Sequence, residues 1–437
     1  MEITFYGSAE EVGRSCILIS ASNTKILLDA GIKLGGTTDL YPTLPDKRLG
    51  EIDAILVSHA HLDHIGYLPH IYSAGYRGSI YTLKPTIELM QVLISDYMKI
   101  SNPQNVTKRG LEEMNKHKVI VEYKKEFKIK NLSITFIPSG HILGSAMIRV
   151  SDGSKSLLYT GDINLSKTRL LNGAEIKNLN ATALIMESTY GGKADVFKDT
   201  REIVNRMVAS IKETVLSGGK VIIPCFAVGR AEEMLLLLDD YMNSGAIPKT
   251  PIYVDGMINK AMRIHRHNVI YCRKELQSRI LMSDYDPFKS DNFVPVEKKG
   301  MRNSIVNSHE GCIIVTTSGM ITGGPIMFYL AKLAKNSSNK LILVGYQAEG
   351  TIGKQIQEGA KEVILNDRKV SLGLSIKTYH ISAHADRRQL EALPDKITNL
   401  KDIFLVHGEH EKIHELKEKL SKKYNVIIPK DGENYKF

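Results

Sequence analysis

The sequence contains no tryptophan, and aromatic residues make up only 7% of its 437 positions. Extensive stacking of nucleic-acid bases on aromatic side chains is therefore not indicated. The cysteines are widely scattered and form no CxxC pair: Cys16, Cys225, Cys272 and Cys312. This spacing excludes a cysteine-based zinc finger and argues against a disulfide framework.

Long apolar runs are also missing. No stretch approaches the length that spans a bilayer, and residues 1–20 lack the basic start and apolar core of a signal peptide. We therefore expect no membrane association and a cytoplasmic location. The segment GTIGKQ at 350–355 lacks the glycine spacing and the final Ser or Thr of a P-loop, so no nucleotide cofactor is expected.

Charge and composition limit the class of protein further. The apolar fraction of 43% and the charged fraction of 24% are those of a globular protein with two or three domains. Lysine and arginine total 58 against 48 acidic residues, a net charge of +10. Such an excess is compatible with a polyanionic partner such as RNA, although many lysine-rich proteins bind no nucleic acid.

The pattern of secondary structure changes along the chain. Residues 1–194 and 375–437 are mostly short strand-like runs rich in Ile, Val, Leu, Tyr and Thr. Residues 195–374 instead alternate strands with helices, which predicts a mainly parallel sheet with helices on its faces. The simplest interpretation is one domain, 1–194 plus 375–437, split by an inserted domain at 195–374.

The strongest chemical signal is SHAHLDH at 58–64, directly after the apolar run AILV. It crowds three histidines and one aspartate into six positions: His59, His61, Asp63 and His64. Buried polar groups need partners, and one shared metal ion can satisfy several of them. Imidazole nitrogens and carboxylate oxygens are the ligands that zinc takes in the absence of cysteine. The crowding therefore favours a metal site over isolated core or surface histidines.

Further polar residues stand at the far ends of apolar strands. Asp29, His141, Asp162 and His407 occur in KILLDAG, ITFIPSGH, LLYTGD and IFLVHGE. If these strands lie side by side, their ends line one edge and the side chains converge. Each residue alone could be a cap or a turn residue, but together they favour one site.

These residues lead to a family resemblance. The HxHxDH motif and the strand-end residues resemble the metallo-β-lactamase superfamily. ESTYG at 187–191, HISAHAD at 380–386 and LVHGE at 405–409 resemble motifs A, B and C of the β-CASP nucleases. The resemblance covers essentially the whole chain and is strongest to the endonuclease subunit of the cleavage and polyadenylation specificity factor and its short archaeal and bacterial relatives. It implies an α/β fold, a metallo-β-lactamase αββα sandwich with an inserted β-CASP domain.

The resemblance also implies two zinc ions per chain. The expected ligands form two sets joined by one bridging carboxylate: His59, His61 and His141; Asp63, His64 and His407; and Asp162 as the bridge. Asp29 would orient a ligand histidine. Glu187 and His384 would pair beside the scissile phosphate, with His384 as the proton donor to the leaving oxygen. The expected catalytic residues are Asp63, Asp162, Glu187 and His384.

The implied activity is that of a zinc-dependent ribonuclease that acts on single-stranded RNA. It would leave 5′-phosphate and 3′-hydroxyl ends, cut internally, and allow 5′-to-3′ exonuclease action, in RNA 3′-end processing or decay. One alternative is a DNA nuclease of the same family, against which the histidine of motif C, His407, argues. Another is a small-molecule thioester hydrolase, which the inserted domain disfavours. A non-catalytic scaffold is disfavoured because no expected ligand is missing.

Expectations for RNA binding rest on weaker signals. Arg230, Ser318 and Lys354 stand at strand-to-helix junctions, where backbone amides bind phosphate well, and Ser382 precedes the expected proton donor. Ordinary strand-to-helix loops explain the same residues equally well. The sequence leaves open whether the chain forms a homodimer. The extra N-terminal modules of some archaeal relatives and the C-terminal domain of RNase J are expected to be absent.

Overall fold

The structure, a computed structural model, describes residues 1–35, 40–101, 103, 105–197 and 199–437. The chain divides into two compact units. The first unit comprises Met1–Lys167, Leu171–Val196 and His384–Phe437, and the second comprises Thr168–Leu170 and Phe197–Ala383. Within the described ranges, no helix combines the length and the apolar character needed to cross a membrane.

The first part of the chain is rich in short strands, as its sequence pattern predicts. These strands are β1 (Glu2–Phe5), β2 (Ile17–Ala21), β3 (Thr24–Leu28), β4 (Ala54–Leu56), β5 (Ser79–Leu83), β6 (Lys118–Val121), β7 (Phe127–Ile129), β8 (Leu132–Pro138), β9 (Ala146–Ser151), β10 (Ser156–Tyr159), β11 (Leu179–Asn180) and β12 (Ala183–Glu187). The α-helices here are α1 (Leu62–Ile65), α2 (Leu68–Ser73), α3 (Lys84–Ser101) and α4 (Lys108–Lys116), with a 3-10 helix at Asp46–Glu51.

The second unit alternates helices and strands. Its helices are α5 (Thr200–Leu216), α6 (Arg230–Asn243), α7 (Ile258–His267), α8 (Lys274–Leu281), α9 (Met301–Asn307), α10 (Pro325–Leu333) and α11 (Ile352–Gln357), with 3-10 helices at Val269–Tyr271 and Pro287–Lys289. Its strands are β13 (Lys220–Pro224), β14 (Ile252–Asp255), β15 (Phe293–Pro295), β16 (Cys312–Thr316), β17 (Lys340–Val344), β18 (Glu362–Leu365), β19 (Arg368–Ser371) and β20 (Ser375–Tyr379).

The chain then returns to the first unit. The last elements are α12 (Arg387–Ala392), a 3-10 helix at Pro394–Lys396, β21 (Ile397–Thr398), β22 (Asp402–Val406), α13 (His410–Leu420), β23 (Asn425–Ile427) and β24 (Asn434–Lys436).

The first unit is built on two seven-stranded sheets, with strand orders β24-β1-β2-β3-β4-β5-β6 and β23-β22-β12-β10-β9-β8-β7. Aromatic rings join the sheets: Phe5 lies 5.8 Å from Phe404, and Tyr81 lies 5.3 Å from Phe127. Helix α3 packs against β5 and β6, and buried side chains of α12 and α13 pack on the second sheet. The predicted α/β class and αββα sandwich are confirmed.

The strand directions bring several polar residues to one edge of each sheet. Strands β3 and β4 run parallel, and so do β10, β12 and β22. The carboxyl ends of parallel neighbours meet at the same edge of a sheet. Asp29 directly follows β3, Glu187 ends β12 and His407 directly follows β22. The sandwich therefore supports these side chains on buried apolar strands.

The main sheet of the second unit has the order β15-β14-β16-β13-β17-β20, and its strand pairs are all parallel. This agrees with the mainly parallel sheet that the alternating pattern predicts. Strand β20 (Ser375–Tyr379) is an edge strand of this sheet, so the unit ends at Ala383 rather than near residue 375. The difference arises because a half-buried edge strand resembles the short strands of the first unit in sequence.

Close packing around Gly31 supports the turn that carries the histidine cluster. A Cβ atom on Gly31 would lie 1.6 Å from the carbonyl oxygen of Asp63. That carbonyl accepts a hydrogen bond from the amide of Ser15, and the amide of Ala30 donates to the carbonyl of His64. Only a glycine at position 31 leaves room for these contacts.

We expect Gly31→Ala to destabilise the protein by about 1–3 kcal/mol or more, because the added methyl group forces the backbone of the cluster apart. Gly50→Ala is a matched control, since a Cβ atom there has nothing within 4 Å. Thermal unfolding followed by circular dichroism measures both. Equal unfolding temperatures for the two variants would contradict this account of Gly31.

Candidate metal centre

The histidine cluster occupies the turn between β4 and α1, in the first unit. His59 follows the strand, His61 is the residue before the helix, and Asp63 and His64 lie within α1. The side chains of His59 and His64 are almost completely buried. The short helix directs its carboxylate and imidazole to the same place as the histidines that precede it.

One oxygen of Asp162 faces a first group of histidines. Asp162 Oδ2 lies 3.4 Å from His59 Nε2 and 3.5 Å from His141 Nε2. His141 Nε2 is also 3.0 Å from His61 Nδ1. Ligand atoms from these four residues lie within 4.8 Å of one another, a spacing that allows them to hold one metal ion.

The other oxygen of Asp162 faces a second group. Asp162 Oδ1 lies 3.3 Å from His64 Nε2 and 3.7 Å from His407 Nδ1. His407 Nε2 is 3.3 Å from Asp63 Oδ2. Asp63, His64 and His407 also offer ligand atoms within 4.8 Å of one another. The structure thus brings together all seven residues predicted as metal ligands, with Asp162 between the two groups.

Orphaned polar atoms indicate that this cluster needs further partners. Within the described part of the chain, His59 Nε2 and Asp162 Oδ1 are buried, and their contacts at 3.4 and 3.3 Å do not have the geometry of a hydrogen bond. A buried polar atom without a partner costs free energy, and a metal ion would satisfy both atoms. The residues present therefore fit a metal.

The protonation states of the first group and of Asp162 suit metal binding as well. Burial lowers the pKa of the histidines in the first group, that of His61 to about 3, so their imidazoles stay neutral. Burial acts to raise the pKa of Asp162, but His407 and His64 outweigh it and hold that pKa well below its usual range. Neutral imidazole and ionised carboxylate are the forms that bind a metal.

Asp29 has the position predicted for it, behind the cluster. Its Oδ2 lies 2.8 Å from His64 Nδ1, which leaves His64 Nε2 directed at Asp162. Two residues that the sequence analysis did not single out hold Asp29 in place. Ser58 donates to it from its amide and its hydroxyl, both at 2.7 Å, and the Tyr159 hydroxyl donates at 2.8 Å. Ser58 directly precedes His59 in the sequence, and Tyr159 ends β10, three residues before Asp162.

Glu187 and His384 form the predicted pair within the same unit. His384 Nδ1 lies 3.0 and 3.1 Å from the two oxygens of Glu187, and its Nε2 lies 4.0 Å from Asp162 Oδ2. Glu187 is further fixed by the amide of Ile163 at 2.8 Å. Burial opposes a charge on His384, but Glu187 and Asp162 outweigh it and raise its pKa to about 9. The imidazole can therefore carry a proton that it can donate.

The predicted phosphate-binding residues lie in the second unit. Arg230 is buried at the start of α6, and the Ser318 hydroxyl accepts from the amide of Thr322 at 2.9 Å. Lys354 Nζ contacts Glu349 at 2.9 Å and Glu358 at 3.3 Å. Ser382 is half-buried, two residues before His384. No role is established for any of these four by their contacts.

The fold and the clustered ligands are those of the metallo-β-lactamase type. A model of the metallo-β-lactamase superfamily domain matches residues 18–189, and a model of the β-CASP domain matches residues 231–356. A third model, of a Zn-dependent metallo-hydrolase RNA specificity domain, matches residues 369–429. The first of these domains implies divalent metal binding, and the combination is typical of hydrolases that act on nucleic acids.

Relatives over the whole chain narrow the class to a family. The transcription termination factor FttA of Methanothermobacter thermautotrophicus is 38% identical, over 97% of this chain and 69% of the relative. That of Methanocaldococcus jannaschii is 37% identical, over 94% and 67%. That of Pyrococcus abyssi is 36% identical, over 98% and 69%. The chain belongs to the β-CASP family of the metallo-β-lactamase superfamily.

A solved structure shares the fold. The crystal structure of a protein of unknown function from Enterococcus faecalis V583 has a TM-score of 0.62 over 99% of both chains. The sequences are only 15% identical, so this likeness concerns the fold alone.

We expect Asp29→Asn to weaken the binding of a divalent metal ion about 10–100-fold, as is usual when the partner of a ligand histidine is altered. The asparagine side chain has only one acceptor oxygen, so it cannot accept hydrogen bonds from both the backbone amide of Ser58 and His64 Nδ1 as the two oxygens of Asp29 do. Competition with a chromophoric chelator measures the affinity. Asp53→Asn is the matched control, because Asp53 accepts from the amide of Lys25 at 2.9 Å in the same unit. Equal affinities in the two variants would remove Asp29 from the metal site.

Proposed function

We propose that this protein is a zinc-dependent ribonuclease that hydrolyses phosphodiester bonds in single-stranded RNA. The products would carry 5′-phosphate and 3′-hydroxyl ends. Internal cleavage would be the basal mode, with 5′-to-3′ trimming of the ends it creates. The observation that carries the proposal is the placement of Asp162, whose two oxygens face two separate groups of ligands.

The ligand set supports zinc and a count of two. Imidazole suits borderline transition metals, and histidine with carboxylate is a common zinc set. We assign His59, His61 and His141 to one ion, Asp63, His64 and His407 to the other, and the bridge to Asp162. When bound, such a pair of ions supplies a nucleophile at neutral pH and neutralises charge that develops on phosphorus.

The remaining steps fall to side chains of the chain itself. Glu187 accepts from His384 Nδ1 and fixes the ring, so that Nε2 points towards Asp162. His384 would donate the Nε2 proton to the leaving 3′ oxygen, and Glu187 would stabilise the charged ring before the transfer. Because the bond between phosphorus and the 3′ oxygen breaks, the phosphate stays on the 5′ oxygen of the other fragment; the 2′-hydroxyl takes no part in this scheme, so no cyclic phosphate forms.

RNA is the proposed substrate because the part of the chain that carries motifs B and C matches an RNA specificity domain. The match to an RNA specificity domain spans residues 369–429, which contain both His384 and His407. The relatives are named as transcription termination factors, and we propose that transcripts are cut in 3′-end processing or decay. Arg230, Ser318, Lys354 and Ser382 stay candidates for phosphate contacts. We also propose that the protein is cytoplasmic and that it needs no nucleotide cofactor. The sequence leaves open whether the chain forms a homodimer.

A circular single-stranded RNA tests the proposed activity, because it has no end to enter. We expect the purified zinc-loaded protein to linearise the circle and to leave 5′-phosphate and 3′-hydroxyl ends. Linear RNA of the same sequence is the control for a 5′-to-3′ mode. Degradation of the linear form with the circle intact would replace the endonuclease by an exonuclease. Cleavage of the matching circular DNA at an equal or higher rate would instead favour the DNA nuclease.

The division of roles within the site has its own test. If His384 is the proton donor and not a ligand, His384→Ala should slow cleavage roughly 10²–10⁴-fold. Elemental analysis should still find about two zinc ions per chain. Asp162→Ala should lose both activity and zinc, because it removes the bridge.

His380→Ala is the matched control for His384→Ala. His380 lies in the same segment, exposed, with its ring stacked on Phe197 at 6.2 Å. Its removal should leave the rate and the zinc content near those of the unaltered protein. Parallel loss of zinc from His384→Ala would make His384 a ligand and overturn the assignment.

A further inference from the structure

A second cluster of potential ligands lies on the surface of the first unit, on the last helix. His410 and His414 stand one turn apart on α13, and their ring centroids are 4.5 Å apart. Residues at positions i and i+4 of a helix share one face. Their side chains are 70% and 50% exposed, so neither belongs to the core.

Glu10 joins the two histidines from a different part of the chain. A single oxygen, Glu10 Oε1, lies 2.8 Å from His410 Nδ1 and 2.7 Å from His414 Nε2. The adjacent Glu11 turns elsewhere, to Lys33 at 2.7 Å and to Arg14. Two imidazole nitrogens and one carboxylate oxygen therefore converge within 4.8 Å of one another.

We propose that Glu10, His410 and His414 form a third, peripheral site for a divalent transition metal of the zinc class. Two histidines at i and i+4 with one carboxylate are a ligand set that zinc takes when a coordination position stays open. Magnesium and calcium prefer oxygen ligands and are not expected here. Because the three ligating side chains are partly exposed, they can spread to the spacing that an ion requires.

The position of Glu10 gives this site a mechanical consequence. Glu10 lies in a tight loop after β1, where the Ser8 hydroxyl donates to the Gly13 carbonyl at 3.0 Å. Ser8 and Glu10 both have positive φ, 64° and 53°. The Ser8 carbonyl also accepts from the backbone amide of His407 at 2.9 Å. An ion at the peripheral site would cross-link this loop to α13. The turn that carries His407 directly precedes α13 and is hydrogen-bonded to the same loop.

Ordinary hydrogen bonding is the competing explanation of the cluster. An exposed histidine–glutamate pair contributes little to stability. Such a pair would give the loop no zinc-dependent protection. Zinc binding and loop protection therefore distinguish the two explanations.

The test is a titration at pH 8, in which zinc is added to protein that retains its tightly bound metal. Equilibrium dialysis with elemental analysis should show about one more zinc per chain than is bound at the start, and magnesium in excess should not displace it. At free zinc ten times the dissociation constant, amide hydrogen exchange in residues 8–14 should slow about tenfold, because opening of the loop must release the ion.

The double variant His410→Ala/His414→Ala should lose both the extra zinc and the slowing of exchange, and Glu10→Gln should weaken both. His267→Ala/His309→Ala is the matched control, since these histidines are also exposed but lie in the second unit. Equal zinc uptake by the two double variants would overturn the site. Extra zinc in the unaltered protein without slower exchange would overturn the cross-link. Neither outcome depends on ribonuclease activity.

Discussion

The structure of the candidate centre depends on one buried carboxylate. Asp162 is almost inaccessible to water, yet histidines from three separate segments lie within 3.7 Å of its oxygens. A buried negative charge is costly unless it is paired. One carboxylate oxygen of Asp162 faces the first group of ligands and the other oxygen faces the second group. An ion bound by either group would therefore also contact Asp162, which the two groups share. The rest of the first unit keeps these groups in register.

The strands of the two sheets hold these two groups of ligands in place around Asp162. The residues of the centre follow strands of two sheets, among them the parallel pairs β3–β4, β10–β12 and β12–β22, and the strands themselves are buried and apolar. A rigid apolar support allows polar side chains to converge without hydration. Asp29, Ser58 and Tyr159 then form a hydrogen-bonded layer behind His64, which fixes the ring and its tautomer. The absence of a side chain at position 31 lets the backbone of Asp63 and His64 approach the turn that follows β3.

His407 links the two clusters of ligands in the first unit. Its ring faces Asp63 and Asp162, while its amide donates to Ser8, two residues before Glu10. His410, at the peripheral cluster, follows three positions later. A change in the conformation of the loop at Ser8 would therefore affect His407, a residue of the candidate centre, through the hydrogen bond between the His407 amide and the Ser8 carbonyl. Coupling of this kind requires that the loop has two arrangements of similar free energy.

HxHxDH and the later motifs are local patterns of side chains, and for this reason the ligand types, the strand-end context and the family could be predicted from the amino-acid sequence. It also indicated the parallel sheet of the second unit from alternating helices and strands. Only the tertiary structure decided which oxygen of Asp162 faces which histidine, that Tyr159 supports Asp29, and that β20 belongs to the second unit. It alone brought Glu10 to His410 and His414. These relations join residues far apart in the chain, and packing and strand pairing fix them, which no local pattern records.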